Sequence, residues 1–316
     1  MLHKISLTRN GSAVAFLLVS TLLGFGYVAI KAGLAFFPPL LFAAFRIDIA
    51  AALLLAYVVL RTDGWRPTTG RDARAILAGG ALVVFASNAF LFLGQQYTTS
   101  GVAAIIYGLD PVLATALAAF LLPAERLSRA GVAGLVVGLI GVTIVVQPNP
   151  SDLLGGDLEG EELVLLAATS IATGSVLVRR AGSSIPATAQ TAWSMALAAP
   201  AMHAASLLAG ESFAAVRLTE TALVAMVYIG VFSTAIAYAL YFELIDDVGP
   251  ARASLVQYVI PIFAVLGGWA LLGERLPPEA AVGFLLVFLG FVLLNADAAK
   301  GAGKRIRARS GAIGRR

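Results

Sequence analysis

Ten apolar runs divide the chain, each close to the ~20 helical residues that a hydrocarbon core of about 30 Å requires. They fall near residues 11–33, 38–60, 73–95, 98–121, 129–147, 162–181, 186–208, 219–242, 250–272 and 278–296. Backbone in lipid must satisfy its own hydrogen bonds, so runs of this kind fold as helices. The charged side chains gather in short clusters between the runs and make up only 13% of the 316 residues, about half the share of an ordinary soluble domain. That distribution excludes a disordered chain, a collagen-like fibre and a water-soluble enzyme of ordinary composition. The first run follows Lys4 and Arg9 but is too long for the core of a signal peptide. The chain has no cysteine, which excludes disulfides, thiolate nucleophiles and Cys-based metal centres. His3 and His203 are too far apart in sequence to suggest a metal site. Neither a metal ion nor a cofactor is expected.

Loop charges orient the ten spans. With the N-terminus in the cytoplasm, the inner face receives Lys4 and Arg9, the four arginines of 61–74, Arg126, Arg129, Arg179, Arg180 and Arg252. It also receives Lys300, Lys304, Arg305, Arg307, Arg309, Arg315 and Arg316. The outer face receives only Arg217 and Arg275, while Lys31 and Arg46 fall inside spans. This is a strong positive-inside bias, and it puts the acidic connection with Asp157, Glu159, Glu161 and Glu162 outside. The basic C-terminal tail then reads as a topological signal attracted to anionic lipid, and no nucleic-acid partner is expected.

The chain repeats itself. A shift of 150 superposes Pro111 on Pro261, Ala114 on Ala264 and Leu121-Leu122 on Leu271-Leu272. One deletion later, Glu125-Arg126-Leu127 meets Glu274-Arg275-Leu276, and Gly134 and Gly141 meet Gly283 and Gly290. The expected organisation is a cytoplasmic tail (1–10), a first repeat (11–147), an acidic linker (148–161), a second repeat (162–296) and a basic cytoplasmic tail (297–316). Five helices per repeat is an odd number, so the second copy enters the membrane from the opposite side. The expected fold is therefore an all-α, polytopic membrane protein of ten transmembrane helices in two inverted five-helix repeats, an architecture typical of secondary transporters.

The doubled L-L-x-E-R-L element with its following glycines resembles the EamA-type module of the drug/metabolite transporter superfamily. Gly24-Phe25-Gly26-Tyr27-Val28-Ala29-Ile30-Lys31 and Arg46 are similar to that module's opening segment. The resemblance spans roughly residues 11–296. It implies a carrier of small metabolites, nearest in kind to the ten-helix aromatic amino-acid exporters. The second repeat departs from the first: around the position matching Arg46 it reads Thr-Ala-Trp-Ser-Met, so the two halves cannot bind a substrate symmetrically.

Ionisable groups at membrane depth are costly and usually face a cavity. Four lie well inside the runs: Lys31, Arg46, Asp48 and Asp110. Asp110 is about twelve residues into the fourth run, ~18 Å along a helix at about 1.5 Å per residue. It precedes Pro111, whose counterpart in the ninth run is Pro261. Paired proline-interrupted helices in two halves point to a binding site. Asn88, Tyr107, Asp110, Trp193, Tyr238, Gln257, Tyr258 and Arg46 are thus the candidate substrate-binding residues, and Asp110 is the proton-coupling candidate. Each has a structural alternative. Asp110 can neutralise Lys31 or Arg46, Lys31 can snorkel to the interface, and His203 reads as a packed or interfacial histidine rather than a proton relay. Arg46 and Asp48 do not face each other on a helix, so each needs a partner elsewhere. Glu125-Arg126 and Glu274-Arg275 read as caps and interfacial anchors, the second pair alternatively as a gate. Gly131, Gly134, Gly138 and Gly141 form a small-residue stripe suited to close helix packing, within a monomer or across a homodimer.

The expectation is a multi-pass exporter of small metabolites, most simply amino acids, in a bacterial inner membrane, with protons as the candidate coupling ion. Cationic drugs, purines or other metabolites are the alternative cargo. An intramembrane enzyme is the rival of another class, but no Ser–His, paired-Asp or metal constellation supports it, and no phosphate loop suggests ATP-driven pumping.

Overall fold

Hydroxyl side chains set where several of the expected helices begin. Thr69, Thr99, Ser128 and Thr219 each accept a hydrogen bond from the backbone N–H three residues on, satisfying a donor that the first turn leaves orphaned. In the computed structural model, residues 9–122, 128–147 and 160–294 are described, the side chains of 9, 10, 242, 246, 250 and 251 excepted. Ten helical rods run through them: α1 (Arg9–Gly33), α2 (Pro39–Arg61), α3 (Gly70–Gly94), α4 (Ser100–Leu121) and α5 (Arg129–Val146), then α6 (Gly160–Ala181) and α7 (Ala187–Leu208). The second half continues with α8 (Glu220–Ile245, prolonged to Val248), α9 (Pro250–Ala253 and Val256–Leu272) and α10 (Pro278–Leu294). The Glu125-Arg126 element, most of the 148–161 linker and both outermost tails lie outside the described residues.

Among the described residues, seven of these helices are long and apolar enough to cross a membrane: α1 to α6 and α8. The segment Val256–Leu272 and α10 are apolar but shorter, and α7 is diluted by Thr188, Gln190, Thr191, Ser194 and His203. Large apolar side chains such as Leu60, Phe120, Leu208 and Trp269 stand exposed on the outside of the bundle, as befits a surface facing lipid rather than water.

Three of the five pairs of helices that correspond in the sequence repeat pack against each other, and they do so antiparallel. A methyl group on Gly134 of α5 would stand 2.5 Å from the carbonyl oxygen of Gly290 in α10, and one on Gly141 would stand 2.7 Å from that of Gly283. The glycine stripe therefore lets two backbones touch within one molecule. In α2 and α7, Asp48 meets His203 near one end while Val58 packs with Ile185 and Ala189 near the other. In α4 and α9, Gly101 lies against Val265 and Gly108 beside the Gln257 carbonyl.

The starts of α2 and α7 are held reciprocally, each by a carboxylate from the other half. The Glu211 carboxylate, from the α7–α8 connection, accepts from the Leu40 and Leu41 amides at the start of α2 (3.0 and 2.8 Å) and from Ser206 Oγ (2.8 Å). Asp72, just after the α2–α3 connection, accepts from the Ser184 amide (2.8 Å) and Ser183 Oγ (2.9 Å) ahead of α7. Negative charge at a helix N-terminus also meets the positive end of the helix dipole. Ser12 of α1 and Asp247 at the end of α8 also bond on the Asp72 side. That side, where α1 begins, is termed the tail face below, and the Glu211 side the far face.

The expectation of matching proline breaks is modified. In α4 the ladder is interrupted at Gly108–Leu109, with Pro111 in the first turn of the following segment. In α9 the interruption lies at Ser254–Leu255, and Pro261 sits inside the continuing helix. A proline removes only one N–H from the ladder, so α9 carries Pro261 without breaking there.

Candidate functional site

Both α3 and α8 contain a widened, π-helical stretch: Gly79–Ala86 and Tyr228–Ile236. Under the repeat shift these occupy matching positions. Extra residues of this kind re-aim side chains and recur at functional sites. Here Val83 and Val84 from one stretch, and Ser233 and Thr234 from the other, line one internal cavity of about 190 Å³. Helices α1, α2, α4, α6, α7 and α9 complete its wall.

Of the candidate residues, Arg46, Asn88, Tyr107, Tyr238 and Gln257 line this cavity. Arg46 Nη1 donates to Asn88 Oδ1 (2.9 Å), and its Nε donates to Thr234 Oγ1 (3.2 Å). Asn88 Nδ2 is held in turn by the Val84 carbonyl (2.7 Å), and Thr234 Oγ1 donates to the Ile229 carbonyl (2.6 Å) within the π-helical stretch. The guanidinium lies 5.8 Å from the Phe92 ring centroid. It is thus positioned by neutral oxygens and an aromatic face, and among the described residues no carboxylate pairs with it. The Tyr27 and Tyr107 rings meet edge to face, 6.2 Å apart at 68°, forming an aromatic wall.

The other three candidates point elsewhere. Thr191 and Met195, four residues apart, face the cavity, so Trp193, midway between them, is turned away. Its Nε1 donates to the Trp65 carbonyl (3.0 Å), and its ring stacks on Trp65 at 5.9 Å and 14°. Tyr258 follows cavity-facing Gln257 and packs on Phe291 of α10, centroids 4.1 Å apart. Asp110 is absent from the cavity wall because the second segment of α4 is drawn onto α6. The Asp110 Oδ1 and the Tyr258 hydroxyl are both buried without a hydrogen-bond partner. No Asp110 ion pair with Lys31 or Arg46 is present among the described residues. Lys31 Nζ instead donates to the Gln95 and Gln96 carbonyls at the end of α3 (both 3.0 Å), where the helix dipole favours a cation.

Asp48 finds its partner in His203, 2.7 Å away, beside an apolar recess walled by Phe37, Phe45 and Phe213. Cavity residues outside the substrate-binding candidates include Tyr27, Thr191, Met195, Ser233 and Thr234. Ser233-Thr234 carried a signal, since they are adjacent hydroxyls inside an otherwise apolar stretch. At a shift of 149, which sets Lys31-Ala32-Gly33 on Arg180-Ala181-Gly182, Met195 stands at the position matching Arg46, so one half of the molecule offers a cation where the other offers a thioether.

A bundle of apolar, antiparallel helices enclosing a small polar cavity defines the class: a polytopic membrane protein built to house a solute. The chain belongs to the EamA-like transporter family, whose profile matches twice, over residues 11–147 and 158–296. Members of that family are transporters rather than enzymes. The chain is 30% identical over 254 residues, 80% of each chain, to the Escherichia coli protein described as the uncharacterized inner membrane transporter YedA. It is 26% identical to an uncharacterized transporter of Archaeoglobus fulgidus, over 89% of this chain and 97% of the relative. A solved crystal structure matches over 92% of this chain and 98% of its own, with a TM-score of 0.63 and 21% identity, which establishes a shared fold.

Proposed function

We propose that the protein is a secondary exporter of small carboxylate-bearing metabolites, amino acids being the substrate class, working by alternating access across a bacterial inner membrane. The observation that carries this reading is Arg46, a cation without an acidic partner among the described residues, fixed in the cavity by Asn88 and Thr234. A substrate carboxylate supplies the missing counter-charge through charge-assisted hydrogen bonds. Tyr107, Tyr238 and Gln257 offer an aromatic and amide surface to the remainder of the molecule. A cavity of about 190 Å³ is smaller than the ~300–1,000 Å³ of sites for drug-sized ligands, and an arginine disfavours cationic drugs. Both points support metabolites over the alternative cargo.

The same reading takes the ten rods as ten spans in two inverted repeats with both termini cytoplasmic. The loop-charge bias and the antiparallel packing of corresponding helices support it. Asp110, with one carboxylate oxygen buried and unbonded, is the proton-coupling residue of this scheme. The deciding experiment is counterflow in proteoliposomes preloaded with one amino acid and supplied with labelled amino acids outside. Saturable exchange that fails in Arg46→Ala supports the assignment. Exchange of purines or cationic drugs with no amino-acid exchange would replace the substrate class.

A further inference from the structure

Glu274 belongs to the doubled L-L-x-E-R-L element, and its carboxylate crosses from the second repeat into the first. Both its oxygens accept from the Ser100 amide (3.1 and 3.0 Å), and Oε1 also from Ser100 Oγ (3.3 Å). The first turn of α4 is thereby capped by the end of α9. Ser100 Oγ is also 3.4 Å from the Tyr27 carbonyl, which accepts from Gln95 Nε2 at 2.6 Å. Tyr27 is itself a wall of the cavity. Lys31, Gln95, Ser100 and Glu274 therefore form a polar plug that joins α1, α3, α4 and α9 between the cavity and the far face.

Two further features single this plug out. Gln95 is fully buried, yet its Oε1 has no partner, a cost that water would remove once the plug opened. The repeat also makes the device one-sided. The residue matching Ser100 is Pro250, at the start of α9, and a proline has no N–H to offer a carboxylate. By contrast, the starts of α2 and α7 are each held by a carboxylate from the other half.

We propose that Glu274 is the latch of the far-face gate, and that breaking its bond to the Ser100 amide lets α4 and α9 part there. The proposal builds on the carrier reading of the cavity, but its test needs no substrate. The chain contains no cysteine, so Ala50→Cys puts a single thiol in the cavity wall. Labelling by a membrane-impermeant maleimide is followed from each face, in right-side-out and inverted vesicles told apart by protease access to a C-terminal tag. Two latch variants are compared in that background. Glu274→Ala removes the carboxylate acceptor. Ser100→Pro removes the donor and should fold, because proline suits a first helical position and Thr99 already has the extended backbone that precedes one (φ −81°, ψ 158°). Both should raise far-face labelling roughly tenfold, the effect of losing one charge-assisted bond on a two-state ratio, with tail-face labelling not increased. Unchanged far-face labelling in either variant, or an equal rise from both faces, overturns the latch.

Discussion

Arg46 gives its hydrogen bonds to an amide and a hydroxyl, and that choice of partners governs what its replacement should do. Arg46→Gln leaves Asn88 and Thr234 in place, so the helix packing should survive while the cation is lost. Exchange of a labelled amino acid should fall about 10- to 100-fold, as expected for a bond to a charged group worth about 1.5–3 kcal/mol. Unchanged exchange at subsaturating substrate would remove the arginine from the binding scheme. For Asp110→Asn the expected outcome is different in kind: exchange persists while its acceleration by a pH gradient disappears. A gradient response equal to wild type would return Asp110 to a structural role. At this scale the sequence was a partial guide. Arg46 and Asn88 were legible because polar groups in apolar runs need a reason to be there. Trp193 was misleading, because an aromatic residue on a span looks the same whether it faces a cavity or stacks on Trp65 at the bundle end.

Between helices, α5 and α10 make a close backbone contact, where the Gly134–Gly290 and Gly141–Gly283 approaches leave no room for a side chain. Gly134→Val should force the two backbones apart. The cost is about 1–3 kcal/mol of overpacking, read as a lowered melting temperature in detergent. Gly70→Ala, at a position with open space around it, should not lower it. A Gly134→Val protein as stable as wild type would mean that α5 and α10 are not pressed together as described. The glycine stripe could be read from the chain, though not whether it met a helix of the same molecule or of another. The π-helical stretches of α3 and α8 were not legible at all. Widening a turn within a largely apolar run leaves the hydrophobic pattern unchanged, so nothing in the order of residues marks where the ladder shifts.

For the whole molecule, orientation is the testable quantity. A reporter active only outside the cytoplasm, fused after Val146, should be active if α1 to α5 cross the membrane five times from an inner N-terminus. The same reporter on the C-terminus should be silent. The opposite pattern would invert the topology and exchange the roles of the two faces. That the described residues fold as helices and that the chain is doubled was legible, because the apolar runs and the repeat lie in the order of residues itself. The register between its halves was not, since it rests on backbone contacts such as Gly108 beside Gln257 that no side-chain pattern encodes.

A chain in which three pairs of corresponding helices meet each other resembles a homodimer written end to end, and this frees it from one constraint that binds true dimers. In a symmetric pair every substitution is felt twice, so a cation placed at the axis confronts its own image. Here Arg46 stands opposite the inheritance of Met195, Ser100 opposite that of Pro250, and Asn88 opposite that of Tyr238. Each of these differences could arise singly, giving a cavity with a head and a tail, and a molecule in which the two directions of passage are chemically unlike.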